Sequence, residues 1–229
     1  MPGTLQPRAA PPESRDERLN GGLPFGDALR SSIAARLDTF TPHILSPEEL
    51  RRAAVVIAIV AGAHGEAACL LTRRPETIKR HAGQFALPGG RVDPGESEAD
   101  AALRELHEEI GISAARSDIL GTLDDYATQS GFRMRPFVLW IEDEAGLAPD
   151  PREVARIYRI PLAELASPAL PTLHPVPHSE QPAISLRLPT IGDELHAPTG
   201  AILYQFREVA FAGRHTRVGH FAQPRFSWQ

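Results

Sequence analysis

Three closely spaced glutamates are the residues of this sequence best suited to chemistry. Glu105, Glu108 and Glu109 lie in a stretch with helical periodicity. At about 100° per residue, Glu105 lies within roughly 40° of Glu109 and about 60° from Glu108, so the carboxylates share one side of the helix. Like charges at this spacing oppose helix formation, and a helix C-terminus disfavours anions. We therefore expect a compensating cation, and hard carboxylate oxygens favour Mg²⁺ or Mn²⁺.

The segment before these acids predicts a backbone that approaches a ligand closely. Two Pro-Gly pairs, at residues 88–89 and 94–95, and the adjacent Gly90 are typical of a tight loop. A backbone carbonyl of this loop is a candidate metal ligand. Arg104 is expected to project to a different side of the helix from Glu105. There it could pair with Glu96 and hold the loop against the helix.

The helix that carries the acids has clear start and stop signals. Ser97 followed by Asp100 indicates a capping box, and Gly111 is a typical residue to end the helix. The predicted core face consists of apolar residues at three- and four-residue steps: Ala99, Leu103, Leu106 and Ile110.

Other elements are predicted on both sides of this helix. The longest apolar run, Ala53–Ala61, indicates a buried strand, followed by a turn at 62–65. We predict further strands at 66–72, 118–123, 134–141 and 183–188, and helices at 27–40 and 199–208. This order favours a layered α/β or α+β domain. Residues 1–25 are proline-rich and are predicted to be a flexible tail, and residues 26–229 a single domain.

The composition excludes several classes of function. With 24 basic and 29 acidic side chains the net charge is −5, which argues against nucleic-acid binding. No apolar run reaches the roughly 18 residues that span a membrane. The acidic N-terminal segment does not fit a secretory signal, so a cytoplasmic location is expected. The single cysteine, Cys69, is predicted to be a core residue, and the histidines lack zinc-ligand spacing.

The fixed offsets in this region resemble a known family motif. An isolated run of acids is usually only a solvated helix face. Here Gly90, Glu96 and the segment Arg104–Ile112 match G-x5-E-x7-R-E-U-x-E-E-x-G-U in full, where U is aliphatic. This pattern resembles the Nudix box, the motif of the Nudix hydrolases.

The resemblance implies a fold, a chemistry and roles for individual residues. The fold would be an α/β/α sandwich with a central mixed sheet. The reaction would be metal-dependent hydrolysis of a nucleoside diphosphate linked to another moiety. Glu105 and Glu109 would be the main metal ligands. Glu108 would be a further ligand or orient water, and the carbonyl of Gly89 would complete the set. An acid outside the box acts as general base in some members, so Glu153 is a candidate, with a surface role as the alternative.

A second, narrower resemblance concerns the substrate. Residues 70–74, 81–84 and 88–90 are similar to a motif of Nudix coenzyme A pyrophosphatases, and residues 128–132 and 153–154 also resemble that subfamily. The departures are Pro75, Lys79 and Leu87, where Ser or Ala, Arg, and Phe are usual. The subfamily's Trp-Gly-x-Thr-Ala segment is reduced here to residues 197–201.

These resemblances lead to a specific prediction. The protein is predicted to be a Mg²⁺- or Mn²⁺-dependent hydrolase that splits coenzyme A into 3′,5′-ADP and 4′-phosphopantetheine. ADP-ribose, NADH or a dinucleoside polyphosphate are the alternative substrates, and a non-catalytic nucleotide sensor is the alternative function. The aromatic segment 221–229 would dock on the core or on a second subunit of a homodimer. The predicted substrate-binding residues are cations and glycines near the acids: Arg73, Arg74, Lys79, Arg80, His81, Gly89 and Gly90.

Overall fold

The computed structural model describes residues 22–46, 50–77, 82–177 and 179–223. Its helices are α1 (Asp27–Thr39), α2 (Glu98–Ile110), α3 (Leu162–Leu165) and α4 (Thr199–Ala210). Its strands are β1 (Arg51–Ala61), β2 (Ala67–Arg73), β3 (Phe85–Ala86), β4 (Gly89–Arg91), β5 (Ile119–Thr122), β6 (Tyr126–Ala127), β7 (Phe132–Trp140), β8 (Arg156–Pro161), β9 (Thr172–His174), β10 (Ala183–Leu188) and β11 (Asp193–His196).

The larger sheet is mixed and centres on β1. Its main order is β3-β2-β1-β7-β5, with β4 paired to β1, β6 to β7 and β8 to β2. Strands β1 and β7 run parallel, with Arg51 opposite Phe132 and Ile59 opposite Trp140, and the other pairs are antiparallel. A smaller antiparallel sheet has the order β11-β10-β9.

The side chains of β1 alternate between two hydrophobic layers. Val55, Ile57 and Ile59 pack in the layer that contains residues of α1, α4 and the smaller sheet. Ala54, Val56, Ala58 and Val60 pack in the layer that contains α2. Both faces of β1 are therefore buried, which explains its unbroken apolar run. Helices cover both faces of a central mixed sheet, so the α/β/α prediction is confirmed.

Most elements predicted from apolar patterning are confirmed within a few residues. The helices predicted at 27–40 and 199–208 correspond to α1 and α4, and the strands predicted at 53–60, 66–72, 118–123, 134–141 and 183–188 correspond to β1, β2, β5, β7 and β10. Cys69 is fully buried in the core, as predicted.

The differences involve elements that tertiary contacts create. Residues 89–91, expected to be a tight loop, form β4 because they pair with Ala53–Val55 of β1. Strand β8 was not predicted. It carries several polar residues but pairs with β2 over six positions. The prediction of the core face of α2 was partly wrong. Ala101 and Ala102 are buried with Leu106 and Ile110, while Ala99 and Leu103 are only partly buried at the edge of this face.

Contacts with the core begin before the predicted boundary at residue 26. Phe25 stacks on Trp140 with ring centroids 4.2 Å apart, and the carbonyl of Leu23 accepts a hydrogen bond from the Ala67 amide. The prediction of a flexible tail is therefore wrong for residues 22–25. Residues 1–21 lie outside the described residues. In the parts of the chain that are described, no helix is long and apolar enough to cross a membrane.

Candidate active site

Helix α2 is fixed at both ends, which sets the positions of its glutamates. Ser97 caps the helix, since its Oγ accepts a hydrogen bond from the Asp100 amide at 3.1 Å. Gly111 ends the helix in the left-handed region, with φ of 77°. The carbonyl of Glu109 accepts a hydrogen bond from the Asp150 amide at 2.9 Å, so the 150–154 turn lies against the last turn of α2.

Arg104 connects the loop to the helix. Its Nε and Nη2 donate to the Glu96 carboxylate, each at 3.0 Å, which confirms the predicted pair. Its Nη1 also donates to Glu105 and Glu108, each at 2.9 Å. The prediction that Arg104 projects away from Glu105 is therefore wrong. The hydrogen bonds to Glu96 raise the pKa of the guanidinium above its ordinary value, so Arg104 stays charged.

Glu109 is a buried carboxylate with little compensation. It is 5% exposed, and its Oε2 accepts one hydrogen bond, from the Gly89 amide at 3.0 Å. No cation of the described chain forms an ion pair with it. Burial raises the pKa of Glu109 to about 7, and the negative charges of Glu105 and Glu153 also raise it. The hydrogen bond from the Gly89 amide and the positive charge of Arg74 lower the pKa, but their effect is smaller. Buried charges usually have a partner or coordinate a metal.

Glu105 and Glu108 differ in exposure. The Glu105 side chain is 15% exposed and Glu108 is 56% exposed. Burial raises the pKa of Glu105, the hydrogen bond and charge of Arg104 lower it, and the charges of Glu108 and Glu153 raise it. A Cβ on Gly90 would overlap the Glu105 carboxylate, so any other residue there would displace this carboxylate.

Gly89 also occupies a position that requires glycine. Its φ of 146° is one that other residues rarely adopt, and a Cβ there would overlap the backbone of Ala54 and Val55. Its amide is therefore held toward Glu109. The predicted approach of backbone to the acidic site is present, although the amide rather than the carbonyl makes the observed contact.

The chemistry of these donors fits a divalent cation. Half-buried Glu105 and buried Glu109 are neighbouring carboxylates, the charge of Glu105 raises the pKa of Glu109, and the Gly89 amide donates a hydrogen bond to Glu109. A cation would remove the cost of ionising Glu109. In the described conformation Arg104 engages Glu105 and Glu108. Among the described residues, no group of three or more His, Cys, Asp or Glu side chains is arranged to hold a metal ion.

A cavity of about 610 Å³ lies next to this site. Gly89, Gly90 and Arg91 form part of its wall, together with Ala53 and Val55 of β1. Three other stretches contribute most of the remaining wall: 82–86, residues between 128 and 134, and 193–199. A volume of this size is typical of small-molecule sites.

The structure brings some of the predicted substrate-binding cations to the cavity and not others. Arg74 lines it, and its Nε is buried without a hydrogen-bond partner among the described residues. Arg73 is not part of the wall; it donates to the Gly83 carbonyl and pairs with Glu76 at 2.8 Å. Lys79, Arg80 and His81 lie outside the described residues.

Glu153 lies near the acidic site. The Glu153 amide donates to Asp150 at 3.0 Å, within the turn that is hydrogen-bonded to the end of α2. Its charge raises the pKa values of both Glu105 and Glu109, which requires proximity. The sequence offered only a distant resemblance for this residue. Its position depends on the contact between the 150–154 turn and α2.

Sequence reasoning missed several parts of the cavity wall. Asp193, Glu194 and His196 come from β11, and Gln223 from the chain near its end. Arg91 and Phe132 were not singled out either. The available signals were the position of Arg91 directly after the glycine pair and the partial matches at 128–132 and 197–201.

Comparison with known proteins places this site in a family. The family model described as the NUDIX domain matches residues 50–180, which include β1, β4, α2 and the 150–154 turn. The chain belongs to the NUDIX family. The Nudix match covers more than half of the chain and contains each of the glutamates described above.

Similar proteins are found in bacteria, animals and archaea. The chain is 42% identical over 113 residues to a Yersinia enterocolitica protein named "Uncharacterized Nudix hydrolase NudL", covering 49% of this chain and 57% of that protein. It is 35% identical over 132 residues to Caenorhabditis elegans "Nudix hydrolase 3", covering 56% and 55%. The chain thus spans a little over half the length of these relatives. A solved MutT protein from Methanosarcina mazei is 27% identical, with a TM-score of 0.41, covering 52% of this chain and 83% of that one.

Proposed function

We propose that this protein is a Mg²⁺- or Mn²⁺-dependent Nudix hydrolase that cleaves the diphosphate linkage of coenzyme A. One observation carries the substrate assignment. Two sequence regions that resemble the coenzyme A subfamily, residues 82–84 with 89–90 and residues 128–132, contribute to the wall of a single cavity. Segments far apart in sequence thus meet beside Glu105 and Glu109.

The residues of the chain would divide the work between them. Glu105 and Glu109, with Glu108 and the Gly89 backbone, would hold the metal ion. When bound, such an ion neutralises the diphosphate and lowers the pKa of water. Arg104 would orient Glu105 and Glu108 through its hydrogen bonds. Arg74 would contact phosphate oxygens, because its guanidinium lies at the cavity wall near Glu109. Glu153 would accept a proton from the attacking water.

A substrate panel with purified protein and Mg²⁺ tests this proposal. It contains coenzyme A, an acyl-coenzyme A, ADP-ribose, NADH and a dinucleoside polyphosphate, with products identified by mass spectrometry. We expect preference for coenzyme A, with 3′,5′-ADP as a product. Preference for another diphosphate would support the proposed hydrolase activity and rule out coenzyme A as the preferred substrate. No turnover with any substrate would favour the nucleotide-sensor alternative. Cytoplasmic location and a homodimer remain predictions, the latter testable by light scattering.

A further inference from the structure

Arg91 is a cation of the cavity wall that has no carboxylate partner. It is the last residue of β4, directly after Gly90, and its side chain is exposed and lines the cavity. No ion pair joins it to an acid of the described residues. By contrast, Arg52, Arg104 and Arg133 are all ion-paired. An arginine left unpaired beside a cavity is suited to bind an anionic group of a ligand.

The backbone of Arg91 is held firmly next to the acidic site. Its carbonyl accepts a hydrogen bond from Arg104 Nη2 at 2.9 Å, and its strand position pairs with Ala53 of β1. The same arginine that orients Glu105 and Glu108 therefore also fixes the start of the Arg91 side chain. The backbone of Arg91 is therefore held directly beside the glycine pair.

The aromatic ring of Phe132 lies beside the Arg91 side chain. The guanidinium carbon of Arg91 is 5.4 Å from the centroid of Phe132, which also lines the cavity. The Phe132 amide donates to Thr128 Oγ1 at 3.0 Å, and Arg51 lies 4.0 Å from the ring centroid. The ring is thus held in place, and an aromatic face of this kind can stack a nucleobase.

The order of these groups follows the order of groups in a nucleotide. Gly89 and Gly90 contact the proposed diphosphate site, Arg91 comes next, and Phe132 follows. In a nucleoside diphosphate the ribose joins the diphosphate to the base. A diphosphate at the glycines and a base on Phe132 would place the ribose beside Arg91.

We propose that Arg91 binds a phosphate group on the ribose of the substrate, while the nucleobase stacks on Phe132. This inference rests on the proposed function, because the diphosphate orients the nucleotide in the cavity. The acids Asp193 and Glu194 of β11 also line the cavity and would repel a phosphate placed beside them, so Arg91 is the more favourable position for that group.

The test compares nucleotides that differ by one ribose phosphate. Binding of 3′,5′-ADP, 2′,5′-ADP and AMP to the full chain is measured by calorimetry for wild type, Arg91→Gln and Arg51→Gln. Arg51 is the matched control, because it also stacks on Phe132 but does not line the cavity. We expect wild type to bind one of the bisphosphates about tenfold more tightly than AMP. In Arg91→Gln this ratio should fall close to one, and in Arg51→Gln it should persist.

Three results would overturn the inference. Wild type could bind both bisphosphates no better than AMP, Arg91→Gln could keep the ratio, or Arg51→Gln could lose it equally, which would implicate the ring alone. Turnover of coenzyme A and dephospho-coenzyme A separates this failure from that of the proposed function. Hydrolysis of both with the same kcat/KM would reject the phosphate subsite and retain the hydrolase. A bisphosphate preference without hydrolysis of any diphosphate would reject the hydrolase and retain the subsite.

Discussion

The glutamates at the two ends of helix α2 have opposite electrostatic surroundings. At the start of the helix, Glu98 accepts hydrogen bonds from Arg52 at 3.0 Å and Arg133 at 2.5 Å, and Arg135 lies 3.7 Å away. Near its end, the Glu109 carboxylate accepts a single hydrogen bond from the described residues, donated by the Gly89 amide. Although burial alone would raise the pKa of Glu98, the hydrogen bond from Arg52 and the charges of Arg135 and Arg52 lower it to about 2. The pKa of Glu109 rises to about 7.

This difference separates an anchor from the proposed metal site. Three arginines neutralise Glu98, so this carboxylate fastens the helix to β1 and β7. Among the described residues no cation forms an ion pair with Glu109, so its negative charge is costly, and we expect a bound cation to remove that cost. Four predictions follow from this contrast.

The largest expected effect is on catalysis, at the uncompensated end. Glu109→Gln should lower kcat by about three orders of magnitude, because it removes a proposed metal ligand, and such a ligand provides several kcal/mol of transition-state stabilisation. It should not lower the free energy of unfolding, since it removes a buried charge. Steady-state kinetics with the preferred diphosphate and urea denaturation measure the two quantities. A kcat within threefold of wild type would remove Glu109 from the proposed metal site.

The next effect is on stability, at the compensated end. Glu98→Gln should lower the free energy of unfolding by about 2 kcal/mol, because it leaves buried Arg133 with one carboxylate partner, Asp125, instead of two. The measurement is urea denaturation at neutral pH, with Glu109→Gln as the matched variant on the same helix. If both variants were equally stable, the two ends of α2 would not differ as described.

The acid dependence of stability should reflect the same anchor. The pKa of Glu98 is lower in the folded chain, about 2, than its ordinary 4.5. The folded state therefore holds its proton less tightly, so the stabilisation is complete above about pH 4.5 and is lost as the pH falls toward 2. Urea denaturation between pH 6 and 3 should show a shallower decline for Glu98→Gln than for wild type. Parallel curves would mean that this carboxylate does not carry the acid sensitivity.

The smallest effect is stabilisation by metal. At a Mg²⁺ concentration tenfold above its dissociation constant, wild type should gain about 1.4 kcal/mol, or a rise of roughly 3–5 °C in Tm. Glu109→Gln should gain much less, while Glu98→Gln should respond like wild type. Thermal unfolding with Mg²⁺ or with EDTA measures this. An equal gain in wild type and Glu109→Gln would place the bound ion elsewhere.

Local features of the site could be predicted from the sequence, whereas the composition of the cavity wall could not. Offsets along a single helix and its loop predicted the pair of Arg104 with Glu96, the cap at Ser97 and the end at Gly111, and the structure confirms each. These features depend on contacts within about 20 residues. The positions of Phe132 and His196 at one cavity depend on the pairing of β1 with β7 and on the docking of β11, which a single sequence does not encode locally.

The sequence alone determined the family motif, the helix that carries the glutamates and the apolar strands around it. Local periodicity and capping depend on neighbouring residues and can be read directly. Only the tertiary structure decided which glutamate is compensated, that residues 89–91 form a strand, and that Arg91 remains unpaired at the cavity while Arg73 is paired. These outcomes depend on burial and on partners far along the chain. Glutamates of one helix differ in their pKa, and arginines near one cavity differ in their ion pairs, because their tertiary surroundings differ. The sequence therefore identifies these charged residues but does not assign their partners.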